Sequence, residues 1–216
     1  MRVLVACECS GVVRDAFIDK GVHAVSCDIL PSDSDYGEHY TGDVMDILYD
    51  GWDMLIGFPP CTYLTVSGVG RLIPGGKLNL ARYFKGVDAA KFFMSLYKSG
   101  IPRICLENPV PNSMFNLPPY SQIIHPYYFG EPFSKRTCLW LENLPFLRPT
   151  CTLRYFSVCE KSEWFNTGVG FKRQKKRSRT FSGVGWAMAS QWSNPDKLPE
   201  LSFQTELFKY GVLDNV

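Results

Sequence analysis

The sequence contains no long hydrophobic run. A membrane-spanning helix needs a stretch of about 18 or more apolar residues, and no such stretch occurs among the 216 residues. The amino terminus, MRVLVACECSG, turns polar without the apolar core or the cleavage site of a signal peptide. We therefore expect a cytoplasmic protein with no membrane partner.

Cysteine pairs with the Cys-x-x-Cys spacing are also missing. The chain has eight cysteines but no Cys-x-x-Cys pattern, so a zinc site built from His125, Cys138, Cys151 and Cys159 is a weak alternative and we expect no metal. Disulfides are not expected either, because a chain of this length with 45% hydrophobic residues fills its core without them. Reduced thiols are the prediction.

Positive charge is present, but it is concentrated in one place. The formal net charge is +2, and six basic side chains fall within the stretch FKRQKKRSR: Lys172, Arg173, Lys175, Lys176, Arg177 and Arg179. Such a run indicates a surface that docks nucleic-acid phosphates. A merely solvated loop is the alternative.

Strand-like and helix-like patterns alternate along the chain. RVLVACE, HAVSCDI, DMLIGF and PRICLEN are interpreted as buried strands, with one helix after Gly11 and another from Val87. Later, PYYFG and RTCLWLENLP are interpreted as strands and WAMASQW as a short helix. Strands that alternate with helices predict an α/β fold with a mostly parallel, doubly wound sheet.

Residues 62–86 interrupt this alternation. They are rich in glycine and lack a clear period, so we predict a long mobile loop there.

Polar residues stand at the carboxyl ends of three predicted strands, where ligands bind in open α/β sheets. They are Asp28, Cys61 and Glu107, and Cys61 follows two prolines that must end its strand. A thiol at such a position is a candidate nucleophile, and a nearby carboxyl group is a candidate proton donor. The alternatives are a buried structural cysteine, a strand-end carboxylate bonded to backbone amides, and a loop cap at Asp28.

A family resemblance rests on several motifs in order. GFPPCTYLTVSG, whose cysteine is followed 46 positions later by the glutamate of ENP, resembles the paired catalytic motifs of the cytosine-C5 DNA methyltransferases. ACECSG, CDI and GDV resemble that family's S-adenosylmethionine motifs, and GEPFSKRTCLWL resembles its arginine-bearing strand. RSRTFSGVGWAMASQW resembles its carboxy-terminal motif, and it is also similar to the small DNA methylases of phages and prophages.

The resemblance implies a Rossmann-like class I methyltransferase fold and a covalent mechanism on DNA, as in restriction-modification enzymes. Cys61 would attack C6 of a flipped cytosine while Glu107 protonates or hydrogen-bonds N3. Either Lys135 or Arg136 would approach the base, because the register of SKRT is ambiguous. Ser67 would contact the nucleic acid.

The resemblance also implies residues that hold S-adenosylmethionine. Asp28 would bind the ribose hydroxyls and Asp43 the adenine amino group, although an aspartate before a helix is also an ordinary cap. The other implied cofactor contacts are Cys7, Ser10, Gly11, Ile29, Val44 and Pro59. Cys7 and Cys9 stand where the family carries a phenylalanine and a glycine, and both are placed on one side of the first strand.

We expect three segments: a catalytic domain over residues 1–145, a reduced target-recognition-like insertion over 146–179, and a carboxy-terminal segment, 180–216, that packs back on the catalytic domain. Two rival functions stay open. One is cytosine-C5 methylation of RNA or a nucleotide, and the other is a catalytically silent nucleic-acid-binding protein of the same fold.

Overall fold

The structure is a computed structural model that describes residues 1–151 and 180–194. In this part of the chain, seven strands form one sheet in the order β3-β2-β1-β4-β5-β7-β6. Strands β1 to β5 pair with one another in parallel. Strand β7 is antiparallel to both β5 and β6. The strands are β1 (Arg2–Ala6), β2 (His23–Asp28), β3 (Glu38–Thr41), β4 (Met54–Gly57), β5 (Arg103–Pro109), β6 (Gln122–Ile124) and β7 (Thr137–Glu142).

Helices cover both faces of this sheet. They are α1 (Val12–Asp19), α2 (Val69–Leu72), α3 (Leu80–Tyr97) and α4 (Ser182–Trp192), with short 3₁₀ turns at Val44–Asp46, Val66–Gly68, Pro74–Gly76, Ser113–Phe115 and Pro126–Phe129. The predicted α/β fold with a mostly parallel, doubly wound sheet is confirmed. No helix in residues 1–151 or 180–194 combines the length and the apolar character that crossing a membrane requires.

Alternating side chains of the central strand β1 build two cores. Val3 and Val5 lie in the core that contains α1 and α4, whereas Leu4 and Ala6 lie in the core that contains Phe93 and Leu96 of α3. Successive strand residues point to opposite faces, so a single apolar run supplies both layers. The helix α4 packs directly on α1.

One predicted strand is wrong, and one strand of the structure was not predicted. PYYFG is not a strand, because Pro126–Phe129 forms a 3₁₀ turn and the edge strand is β6, just before it. Strand β3 was not predicted, since the Ser/Asp-rich residues before it indicate a loop and its own side chains are mostly exposed.

The prediction of a long mobile loop over residues 62–86 is also wrong. Helix α3 begins at Leu80 rather than Val87, and Asn79 caps it by accepting a 3.1 Å hydrogen bond from the Arg82 amide. The glycines hide the helical period, yet Gly86 packs so closely on Phe115 that a β-carbon there would lie 2.2 Å from the ring. The upstream part forms short helical turns around buried Leu64 and Leu72.

Candidate active site

The candidate active site lies at the carboxyl ends of β1, β4 and β5. The strand register pairs Ala6 with Gly57 and Gly57 with Leu106. The residues that follow these positions therefore lie side by side, and the amide of Phe58 donates a 2.9 Å hydrogen bond to the Ala6 carbonyl oxygen. At Gly57 a β-carbon would lie 2.7 Å from Leu106, so glycine permits this close approach.

The proline-cysteine segment and the Glu-Asn-Pro segment are joined by a direct contact. Asn108, which is fully buried, donates a 2.9 Å hydrogen bond from Nδ2 to the carbonyl oxygen of Pro59. Cys61 follows two residues later with a half-buried thiol, and its carbonyl oxygen accepts from the Leu64 amide at 3.0 Å. The segment that carries Cys61 is therefore connected to the segment that carries Glu107 by the hydrogen bond between Asn108 and Pro59.

The side-chain amide of Asn108 has one oxygen, Oδ1, in addition to this donor nitrogen. Within residues 1–151 and 180–194, Oδ1 of Asn108 is buried without a hydrogen bond. An unpaired buried acceptor costs free energy, so this orientation of Asn108 is maintained by the Pro59 contact on its opposite side.

Lys135 is the cation beside Glu107. Its Nζ lies 3.7 Å from Oε1 of Glu107, and the two side chains are 25% and 17% exposed. The contact arises because β7 runs antiparallel to β5 and pairs Thr137 with Pro109, which brings the residues just before β7 back to the site.

Arg136, the alternative cation, is exposed and acts on a different group. Burial, and then the charge of Arg136, lower the pKa of His125. The structure therefore places the two basic residues of SKRT in different surroundings, with Lys135 at the candidate acid.

A small pocket adjoins this acid–cation pair. Its lining includes Phe58, Glu107, Lys135 and Thr137 from the sheet edge, together with Thr180 and Phe181 from the start of α4. Cys61 is not among its lining residues in the described part of the chain. The pocket joins apolar walls to one carboxylate and one ammonium group.

The residues implied for cofactor binding converge beside Cys7. Burial raises the pKa of the Cys7 thiol, and the negative charges of Asp28 and Asp43 raise it further. Backbone pairing brings both aspartates toward Cys7: the Glu8 amide donates to the Cys27 carbonyl oxygen at 3.1 Å, next to Asp28, and the Gly42 amide donates to the Asp28 carbonyl oxygen at 2.9 Å, next to Asp43. Cys7 itself lies just past β1 with a φ of 59°, so its predicted placement within a strand is wrong.

Each of these aspartates also supports the local backbone. One oxygen of Asp28 accepts from the Leu30 amide at 2.9 Å, and one oxygen of Asp43 accepts from the Met45 amide at 3.0 Å. The capping roles considered from the sequence are thus present. Each carboxylate has a second oxygen that these bonds do not use.

The remaining implied cofactor residues differ in exposure. Ile29 is 79% exposed, whereas Val44 is buried. Gly11 has a φ of 73° at the start of α1, a conformation that glycine adopts without strain. Ser10 is buried and donates a 3.1 Å hydrogen bond to Glu8.

Glu8 is a buried residue that the sequence interpretation missed. Its carboxylate accepts hydrogen bonds from the amides of Val13 at 2.8 Å and Arg14 at 3.3 Å, at the amino terminus of α1. Burial raises its pKa, although these bonds and the Arg14 charge oppose the shift. The sequence signal for this role is an acidic residue in the connection between a predicted strand and a predicted helix, since carboxylates are stabilised at helix amino termini.

The groups near Cys7 fit the adenosine and cationic parts of S-adenosylmethionine. Two carboxylates suit hydroxyl, amino and sulfonium groups, and exposed Ile29 offers an apolar surface beside Asp28. The methionyl carboxylate finds no free donors at Val13 and Arg14, because Glu8 already occupies them. This edge therefore fits the adenosine part, whereas the start of α1 does not fit the methionyl carboxylate.

The predicted nucleic-acid contacts are only partly described. Lys172, Arg173, Lys175, Lys176, Arg177 and Arg179 lie outside the described residues. Ser67 is exposed, and its hydroxyl shares a 2.9 Å hydrogen bond with that of Thr65. Cys159 of the alternative zinc site is also outside, and the described residues contain no group of three or more His, Cys, Asp or Glu that could hold a metal ion.

No protein-family model matches the chain. No curated protein matches it either. Solved structures that resemble it include the Entamoeba histolytica methyltransferase EhMeth, with 16% identity, a TM-score of 0.43, and coverage of 68% of this chain and 54% of that one.

Two further structures are the Spodoptera frugiperda DNMT2 E260A/E261A/K263A mutant and the bifunctional kinase-methyltransferase WbdD. The first has 15% identity, a TM-score of 0.39, and coverage of 69% of this chain and 53% of that one. The second has 13% identity, a TM-score of 0.39, and coverage of 64% and 34%. The chain thus spans about half or less of the lengths of these proteins, and similarity at this level assigns no function.

Proposed function

We propose that this protein is an S-adenosylmethionine-dependent cytosine-C5 methyltransferase that acts on DNA. The observation that carries the proposal is the hydrogen bond from Asn108 to Pro59, which joins the segment of a candidate nucleophile to the segment of a candidate acid. A purely structural cysteine at a strand end does not require a carboxylate and an ammonium group at the neighbouring strand end.

In the proposed reaction, the Cys61 thiolate forms a bond to C6 of the cytosine. The electron pair displaced from the C5–C6 double bond moves toward N3, where Glu107 supplies a proton or a hydrogen bond. Lys135 lies 3.7 Å from Glu107 and orients that carboxylate. The bound cofactor supplies the methyl group that C5 takes up.

Release of the product reverses the addition. The proton on C5 leaves to a solvent base, the bond between C6 and the Cys61 sulfur breaks, and a proton that Glu107 gave to N3 returns to the Glu107 carboxylate, which restores the ring, the acid and the thiolate. Because the cytosine must reach a half-buried thiol, it must leave the duplex, and the cost of unstacking is a few kcal/mol. Asp28, Asp43 and Ile29 would hold the adenosine part of the cofactor.

Covalent trapping tests this proposal. Incubation with S-adenosylmethionine and a duplex containing 5-fluorocytosine should give a protein–DNA adduct, because fluorine cannot leave as the C5 proton does. Mass spectrometry should map the adduct to Cys61. The Cys61→Ser variant should give none, and the matched Cys151→Ser variant, which alters another half-buried thiol, should react normally. An adduct that persists in Cys61→Ser contradicts the assignment.

One observation favours a second candidate function. Glu8 occupies amide donors at the amino terminus of α1, which is consistent with a nucleic-acid-binding protein that lacks cofactor affinity. Calorimetry with S-adenosylmethionine separates the two candidates, since only the methyltransferase must bind it. Replacing the DNA by RNA or by a cytosine nucleotide in the trapping reaction tests the alternative substrates.

A further inference from the structure

Charge is segregated along the part of the chain that builds the sheet edge. Residues 1–53, which include β1 to β3, contain eleven acidic and three basic side chains. Residues 54–87, which run from β4 into α3, contain no acidic side chain and four basic ones: Arg71, Lys77, Arg82 and Lys85. The acidic part holds Asp28 and Asp43, and the cationic part begins with the strand that leads to Cys61.

Two of these cations converge on one ring near Cys61. The guanidinium carbon of Arg82 lies 4.8 Å from the centroid of the Tyr63 ring, and Nζ of Lys85 lies 5.7 Å from it. Arg82 also donates a 2.7 Å hydrogen bond to the carbonyl oxygen of Thr62. We call Tyr63, Arg82 and Lys85 the Tyr63 cation pair.

Among the described residues, no ion pair neutralises the positive charge of this pair. In residues 1–151 and 180–194, neither Arg82 nor Lys85 forms a salt bridge, whereas Lys91 on the same helix lies 3.7 Å from Asp88. Lys85 is exposed, and the adjacent Phe84 is 60% exposed. Two cations held over one ring repel each other, and an anion placed between them removes that repulsion.

The position of the pair identifies the anion. Tyr63 is only two residues from Cys61, and Arg82 contacts the intervening Thr62, so the pair adjoins the backbone of the segment that carries the thiol. DNA carries phosphates on both sides of any nucleotide, and Arg and Lys are the side chains that contact them. This step rests on the proposed function, in which the attacked group is a cytosine in DNA.

We propose that the Tyr63 cation pair binds backbone phosphates of duplex DNA beside the target cytosine. The pair positions the strand and does not read its sequence, because phosphate contacts carry no base information. The acidic half of the edge repels the same backbone, so the duplex approaches from the β4 and α3 side.

Salt-dependent binding tests this proposal. Fluorescence anisotropy of a labelled cytosine-containing duplex gives log affinity against log salt, with a slope of about −0.9 per neutralised phosphate. The double variant Arg82→Gln/Lys85→Gln should reduce the magnitude of this slope by about two and weaken binding roughly 10- to 100-fold at about 0.1 M salt. The matched variant Lys91→Gln/Lys98→Gln, with Lys91 on α3 and Lys98 just after its end, should leave both unchanged.

The Arg82→Gln substitution removes the contact with Thr62 and could perturb folding. Single variants of Lys85 test the inference without this change. Lys85→Gln should reduce the slope by about one, and Lys85→Arg should restore it. This inference alone is contradicted if the wild-type protein binds the duplex and forms the Cys61 adduct, and if Lys85→Gln and the double variant both show the same salt slope as the wild type. A wild-type protein that forms no adduct and binds no duplex contradicts the proposed function as well.

Discussion

Asn108 donates a 2.9 Å hydrogen bond from its side-chain amide to the carbonyl oxygen of Pro59. This bond connects the end of β5 to the turn after β4, and it is fully buried. A proline carbonyl cannot turn away from its donor through rotation about φ, because the ring fixes that angle. The bond therefore sets the position of the turn that presents Cys61.

The first prediction concerns the loss of this donor. Asn108→Asp keeps the shape of the side chain but replaces the amide donor by an acceptor that faces the Pro59 carbonyl. We expect the free energy of unfolding to fall by about 1–3 kcal/mol, because a buried polar group is left unpaired. Turnover should fall roughly 10- to 100-fold through misplacement of the thiol. Urea denaturation and methyl-transfer assays measure the two effects.

A matched control separates stability from positioning. Asn143 makes the same kind of bond, from Nδ2 to the carbonyl oxygen of Pro102 at 2.8 Å, but on an exposed loop. Asn143→Asp should leave turnover unchanged. Equal turnover losses in the two variants would mean that the Asn108 bond has no particular role at the site.

Several features of this site could be predicted from the sequence. The two prolines before Cys61 end a buried strand, and the apolar run before Glu107 places it at the end of the next parallel strand, so both positions follow from local pattern. The start of α1 after Gly11 is equally local, because its φ of 73° suits glycine.

Other features depend on contacts that no local pattern reveals. The Asn108–Pro59 bond joins residues 49 positions apart. The choice of Lys135 over Arg136 depends on where β7 begins and on its antiparallel pairing with β5. The early start of α3 depends on the packing of Gly86 against Phe115, which overrides the low helix propensity of glycine.

The second prediction tests the choice between the two cations of SKRT. Lys135→Gln removes the ammonium group beside Glu107, so we expect turnover to fall about two- to fivefold, since a partly exposed ion pair is worth roughly 0.2–1 kcal/mol. Lys135→Arg should recover part of the loss. Arg136→Gln should have little effect on turnover, and steady-state kinetics on a DNA substrate measure all three. A larger loss in Arg136→Gln than in Lys135→Gln would reverse the assignment.

The third prediction concerns the cofactor. Asp28→Asn and Asp43→Asn each replace a carboxylate near Cys7 by a neutral amide that keeps an acceptor for the local backbone bond. Each should weaken S-adenosylmethionine binding roughly 10- to 100-fold, the effect of removing one hydrogen bond to a charged group. Isothermal titration calorimetry measures this, with Asp50→Asn on an exposed turn as the control. Absence of binding by the wild-type protein would support the silent alternative.

The last prediction concerns which thiols react as the pH is raised. Burial, and then nearby negative charge, raise the pKa of Cys27 to about 12 and that of Cys138 to about 11. Because only the thiolate is nucleophilic, and an ordinary cysteine ionises near about pH 8.5, these two should stay unreactive toward iodoacetamide between about pH 7 and 9.5. Cys7 and Cys105 should behave alike, because burial raises their pKa as well.

Cys61, half-buried at a strand end, should be alkylated in this range, and bound duplex should protect it. Peptide mass spectrometry measures the labelling, and concentrated urea should make every cysteine react. Alkylation of Cys138 as fast as Cys61 in the folded protein would contradict both the buried environment of β7 and the accessibility that the proposed nucleophile requires.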